Sequence, residues 1–195
     1  MERKHQTPHY VVCLDIGTFK IAQIIGKIKA NGEIEVVGMG THPSRGLKKG
    51  VVVNIDATVE SIQRAIDEAE RMSGFEAQPV YVGIAGSHIK SFNSNGMVAI
   101  RNQDVQPDDI ERVMEAAQTI AIPGDQRVLH ILSQEYIIDN QGGIREPVGM
   151  SGVRLEAKVH MVTGSVSAAQ NITKCVERCN LGVADIILEQ LASSD

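Results

Sequence analysis

The sequence predicts an α/β protein, a mixed sheet with helices into which a small α+β subdomain is inserted. Three observations predict it. Apolar runs of strand length open the chain and are separated by tight-turn residues. A helical pattern then leads into another apolar strand, the alternation that produces parallel pairing. After Gly86 the rhythm changes to long extended runs around a single helix, and a later helix and strand resume the first pattern.

Bulk properties set limits on function. The 195 residues are 43% hydrophobic and 22% charged, ordinary for a globular protein of one large or two small domains. The net charge of −5 gives no long-range attraction for nucleic acid or an anionic lipid surface and favours a basic partner. Cys13, Cys175 and Cys179 form an odd set without paired spacing, which argues against a disulfide framework and for a reducing, cytoplasmic setting. The first apolar run, residues 10–14, is cut by Asp15 and is too short for a signal-peptide core; no stretch approaches a membrane span.

Taken in order, residues 11–14 read as a strand that stops at Asp15-Ile16-Gly17-Thr18, and residues 20–29 resume an apolar pattern. Ala30-Asn31-Gly32-Glu33 supplies Asn-Gly, the signal for a type I′ hairpin, before a third strand at Ile34-Glu35-Val36-Val37. Residues 38–50 read as a loop with Pro43, glycines and the cations Arg45, Lys48 and Lys49. Asn54 or Asp56 caps the next helix, whose inward positions are Val59, Ile62, Ile66, Ala69 and Met72, and Ser73-Gly74 stops it. Residues 80–85 are a strand of parallel type.

The inserted segment, residues 87–163, has an extended run, a helix from Pro107 to about Ala121, and two long strands at residues 128–139 and 153–163. Pro107 suits the first helical position, Asp108 and Asp109 complement the macrodipole, and Ile110, Val113, Ala117 and Ile120 point inward. Afterwards Ser167 caps a helix with Ala168, Ile172, Cys175, Val176 and Cys179 inward, Asn180 or Gly182 closes it, and Asp185-Ile186-Ile187-Leu188 is a strand. Without the insertion the order is β-β-β-α-β-α-β, which by analogy is that of the ribonuclease H-like fold of actin-type ATPases, sugar kinases and some nucleases.

The turn Asp15-Ile16-Gly17-Thr18-Phe19-Lys20 puts an acid, a small residue, a hydroxyl and a cation at one end of the sheet. Gly17 lets the backbone approach an anion, neighbouring amides and the Thr18 hydroxyl can donate, Lys20 can neutralise charge, and Asp15 can hold a hydrated divalent ion. A plain polar turn uses the same residues. Glu189, just past the last strand, lies near that turn in this fold and can orient a water for attack on a terminal phosphate; a solvated acid at a helix start is the alternative. Cys175 and Cys179 fit small buried apolar residues better than metal ligands. Residues 45–50 can dock an anion or simply be solvated. The inserted segment carries ten acidic against seven basic residues, with Asp108, Asp109, Glu111 and Glu115 gathered on its helix, where a basic peptide can dock or solvent can cover a solubilising face.

Read together, these segments resemble the FtsA family, actin-like proteins of bacterial cell division. The resemblance rests on Leu14-Asp15-Ile16-Gly17-Thr18, on Pro43-Ser44-Arg45-Gly46-Leu47-Lys48-Lys49-Gly50 and on Ala65-Ile66-Asp67-Glu68-Ala69-Glu70-Arg71-Met72-Ser73-Gly74. It continues in Gly86-Ser87-His88-Ile89, Gln134-Glu135-Tyr136 and Pro147-Val148-Gly149-Met150-Ser151-Gly152-Val153-Arg154-Leu155. It implies that residues 8–86 and 164–195 form subdomain 1A and residues 87–163 the family-specific subdomain 1C. It implies ATP and magnesium in the full-length protein, with phosphate contacts at Asp15, Gly17, Thr18, Phe19 and Lys20, a water-coordinated magnesium at Asp15, and the water-positioning acid at Glu189. Many relatives have proline after that acid, where Gln190 stands here.

The same resemblance implies a division adaptor at the cytoplasmic face of the inner membrane. Such a protein polymerises through 1A and 1C, ties the FtsZ ring to the membrane through a C-terminal helix, and recruits later division proteins such as FtsN. The chain is expected to be the N-terminal half of such a protein, binding ATP weakly or not at all by itself and without turnover. A sugar-kinase-like or Hsp70-like ATPase is the alternative, and it needs a second phosphate loop. A nuclease needs further carboxylates at neighbouring strand ends, which Ala85-Gly86-Ser87 does not offer.

Overall fold

The computed structural model describes residues 9–76 and 79–192. The polar start and the expected outer limits of the first body, residue 8 and residues 193–195, lie outside the described residues. The chain divides into two compact units, residues 1–88 with 166–195, and residues 89–165.

The first unit opens with β1 (His9–Ile16), β2 (Lys20–Ile28) and β3 (Ile34–Pro43), an antiparallel meander. β6 (Val80–Ile84) pairs parallel with β1, and β11 (Val183–Leu188) pairs parallel with β6, giving a five-stranded sheet of order β11-β6-β1-β2-β3. One face of it is apolar at period two: Val12, Leu14 and Ile16, then Val80, Val82 and Ile84, are all buried. Helix α1 (Ile55–Ser73) lies against β2 and β3, and α3 (Val166–Glu177) against α1 and β11. This mixed sheet and its helices form the ribonuclease H-like, actin-like fold expected from the element order.

Two expectations about the meander are corrected. Residues 38–43 are strand, not loop, because β3 passes directly under α1: a Cβ on Gly40 would lie 2.0 Å from the Ala65 carbonyl oxygen, and one on Gly38 2.5 Å from that of Ala69. These glycines mark a close backbone approach, which reads in sequence as turn composition. Within the remaining loop, β4 (Leu47–Lys48) and β5 (Val51–Val52) make a short hairpin. The β2–β3 turn is not type I′ either. Only Gly32 takes positive φ there, 85°, and its N–H donates to the Lys29 carbonyl at 2.9 Å.

Capping explains the helix limits. The Asn54 side chain accepts the Ala57 N–H at 3.0 Å, and Gly74 in the left-handed region (φ 67°) ends α1 after Ser73. Ser167 falls inside the first turn of α3, since β10 (Arg154–Ser165) runs straight into that helix. Cys175 and Cys179 are buried and Cys13 is exposed. No helix among the described residues is long and apolar enough to cross a membrane.

The second unit is a four-stranded antiparallel sheet of order β7-β10-β8-β9, formed by β7 (Lys90–Ala99), β8 (Gln126–Ile138), β9 (Gln141–Ile144) and β10. Helix α2 (Pro107–Gln118) packs on it, and Val113 and Ala117 join Leu155, Ala157, Val159 and Met161 in the core. The helix stops at Gln118, short of the expected end, so Ile120 is 42% exposed and not inward. β9 was not expected. Asp139 and Asn140, at φ 46° and 77°, form the two-residue turn with both positions left-handed that joins it to β8.

Candidate functional site

The hairpin turn after β1 opens into a cleft of about 450 Å³ in the first unit. Asp15, Gly17, Thr18, Phe19, Lys20 and Glu189 all line it. The topology brings these residues together: parallel pairing of β1, β6 and β11 sets the C-terminal ends of the three strands side by side, with Ile16 beside Ile84 and Ile84 beside Leu188. Glu189, first residue of α4 (Glu189–Ala192), thereby arrives near Asp15, 174 positions earlier in the chain. This is the strand-end crevice where open α/β sheets place their ligands.

Asp15 is the most unusual group of the cleft. Its Oδ1 is buried and has no hydrogen-bond partner within the protein. Burial raises its carboxyl above the usual value of 3.8, the charge of Glu189 pushes the same way, and Lys20 opposes them. A buried carboxylate oxygen without a donor, beside a second acid, fits a hydrated divalent cation, which would satisfy the orphaned oxygen and relieve the repulsion. Among the described residues no group of three or more His, Cys, Asp or Glu side chains is placed to hold a metal. Any such ion would therefore complete its shell with water and ligand oxygens.

The turn leaves donors that can reach an anion, as the amides neighbouring Gly17 were expected to. The Gly17 amide is occupied, donating to the Lys20 carbonyl at 3.1 Å to close the hairpin. The amides of Thr18 and Phe19 are left as the candidate backbone donors. A Cβ on Gly17 would lie 2.9 Å from the Lys20 carbonyl oxygen, so glycine is needed for the tightness of the turn. The Thr18 hydroxyl accepts the Gly50 N–H at 2.9 Å, and its own proton remains to be donated into the cleft. The Phe19 ring is 91% exposed.

Of the second wall, sequence reading offered only the loop 45–50, as one able to dock an anion, and missed residues 85–87. Lys49, Ala85, Gly86 and Ser87 also line the cleft. The Ser87 N–H donates to the Lys49 carbonyl at 3.1 Å, and Gly50 packs so tightly on Ala85 that a Cβ there would lie 1.9 Å from its carbonyl oxygen.

The acidic helix of the second unit requires a correction. Asp109 is 2% exposed: its Oδ2 accepts the Gln106 N–H at 3.0 Å, capping α2, and its Oδ1 pairs with Arg112. Asp108 stands 3.7 Å from Arg101 and 3.6 Å from Arg112. Asp109 is thus committed to the fold and cannot serve as a surface contact, and Asp108 is partly neutralised. Glu111 and Glu115 are exposed.

Comparison with known proteins bears on family and fold. The model of the SHS2 domain inserted in FTSA matches residues 86–163. The cell division protein FtsA of Pseudomonas aeruginosa is 66% identical over 97% of this chain, which spans 45% of that protein. Its Escherichia coli counterpart is 45% identical over 94% of the chain and 44% of its own length. The chain thus spans about half the length of these relatives. The PilM-PilN type IV pilus biogenesis complex contains a chain that superposes on 93% of this one, 48% of its own, with a TM-score of 0.63 at 13% identity, a likeness of fold. By sequence, by its inserted domain and by its actin-like sheet, the chain belongs to the FtsA family of cell division proteins.

Proposed function

We propose that the cleft at Asp15–Lys20 is one wall of an ATP site and that the full-length protein is a nucleotide-controlled division adaptor. The observation that carries this reading is the convergence of Asp15, Thr18, Lys20 and Glu189 on one strand-end crevice, with a buried Asp15 oxygen lacking a partner. In it, the Thr18 and Phe19 amides and the Thr18 hydroxyl donate to phosphate oxygens, and Lys20 offsets their charge. Asp15 would hold a hydrated magnesium ion through water, and such an ion would supply charge neutralisation at the phosphates. Glu189 would orient a water toward the terminal phosphorus and take its proton as the new O–P bond forms and the bond to the bridging oxygen breaks, releasing ADP and inorganic phosphate, a step that would give the protein at most slow ATPase turnover.

One unit contributes only part of the contacts of such a site, so nucleotide affinity and turnover belong to the longer protein. Family membership supports the further reading. The protein polymerises through the surfaces of subdomains 1A (residues 8–86 and 164–195) and 1C (residues 87–163). It ties the FtsZ ring to the cytoplasmic face of the inner membrane and recruits later division proteins such as FtsN. The direct test is co-sedimentation of the full-length protein with FtsZ and liposomes, with and without ATP. Nucleotide-dependent recovery of FtsZ with the lipid pellet is expected; recovery of FtsZ indifferent to both protein and nucleotide would remove the adaptor reading.

A further inference from the structure

Lys49 occupies an unusual backbone position. Its φ is 51°, in the left-handed region that a lysine adopts only at a cost. Three neighbours hold it there. Its carbonyl accepts the Ser87 N–H at 3.1 Å; the following Gly50, at φ 76°, is wedged against Ala85; and the Gly50 N–H is bonded to the Thr18 hydroxyl. The result sets Lys49 in the lining of the same cleft as Asp15, Thr18, Lys20 and Glu189. A lysine serving only solubility has no need of a constrained backbone.

Lys49 also forms no ion pair among the described residues, and neither does Lys20, the other cation that lines the cleft. Lys48, next to it in sequence, lies in β4 and is not part of the lining. A triphosphate carrying one divalent ion retains about two negative charges at neutral pH, and Lys20 and Lys49 are the lining groups of opposite sign, beside the carboxylates Asp15 and Glu189.

We propose that Lys49 is a second phosphate-binding cation, contributed by the β4–β5 hairpin and aimed by the Thr18–Gly50 and Lys49–Ser87 hydrogen bonds. This inference rests on the reading of the cleft as a nucleoside triphosphate site. It assigns to the loop before α1 a direct part in gripping the phosphate tail, beyond shaping the wall.

The test is calorimetric titration of magnesium-ATP into the protein at the full length of its relatives, at two salt concentrations. Lys49→Asn removes the charge with a residue that tolerates the left-handed backbone, Lys49→Gly does so with no backbone strain, and Lys48→Gln is the control. Both Lys49 variants should weaken ATP binding by about tenfold or more, the scale of one charge-assisted hydrogen bond, and lessen its salt dependence, while Lys48→Gln stays near wild type. If wild type binds and either folded Lys49 variant binds equally well, the inference is overturned and the cleft reading survives. If wild type shows no ATP binding, the cleft reading itself falls and takes Lys49 with it.

Discussion

The Thr18 hydroxyl accepts the backbone N–H of Gly50 at 2.9 Å, joining the first hairpin turn to a loop 32 residues further along. Thr18→Val keeps the volume and removes the acceptor, leaving a part-buried N–H unsatisfied at a cost of about 1–3 kcal/mol. Thr18→Ser should retain most of the stability. Denaturant unfolding of both variants checks this, and a Val variant as stable as wild type would show that the bond contributes nothing.

Asp15 carries the opposite signature, a group that the apo fold tolerates at a loss. Its folded pKa is raised above 3.8, so the folded state holds a proton more tightly than the unfolded chain. Stability from this group is therefore greatest below pH 3.8 and is lost as pH rises through the folded value. Asp15→Asn should melt higher than wild type at pH 7, with the gap closing toward pH 3.8. A variant that melts lower at neutral pH would mean that the carboxylate is structurally required.

Asp109 behaves the other way. The Gln106 amide foremost, then Arg112, holds its carboxyl below 3.8 despite burial. Its stabilisation is present above pH 3.8 and is lost as pH falls through the lower folded value. Asp109→Ala should cost about 2 kcal/mol, because it uncaps α2 and removes one partner of Arg112, which keeps Asp108 and the Ala99 carbonyl, whereas exposed Asp108→Ala should cost under about 1 kcal/mol. Urea unfolding at pH 7 and pH 3 separates the two; equal, small effects would contradict the assignment of Asp109 to the fold.

Much of this fold is legible from periodicity. Val12, Leu14 and Ile16 alternate cleanly, and α1 carries both a cap and a stop signal that the structure uses. What escaped is carried by backbone proximity. Gly38 and Gly40 look like loop residues until α1 is laid across them, and Asp139-Asn140 lacks the glycine that usually announces a two-residue turn. The cleft divides in the same way. Asp15, Thr18 and Lys20 are contiguous and chemically suggestive, and Glu189 follows once strand order is assumed. Lys49 and Ser87 reach the cleft only through tertiary contacts between loops that share no sequence pattern. Asp109 shows the converse: an acid in a first helical turn reads as surface, and only its hydrogen bonds reveal that it is buried.

Gly40 offers a further check on the packing of β3 beneath α1. An added Cβ would meet the Ala65 carbonyl oxygen at 2.0 Å, so Gly40→Ala must push helix and strand apart. The expected cost is about 1–3 kcal/mol in thermal or chemical unfolding. A neutral effect would mean that the strand and helix are less closely apposed.

The central claim is that Asp15 and its turn bind a nucleoside triphosphate together with a divalent ion, and titration of ATP with and without magnesium into the full-length protein tests it most directly. Saturable binding that strengthens when magnesium is added, with the magnesium dependence abolished in Asp15→Asn, is the predicted result. Affinity that is the same with and without magnesium, or unchanged in Asp15→Asn, would contradict it.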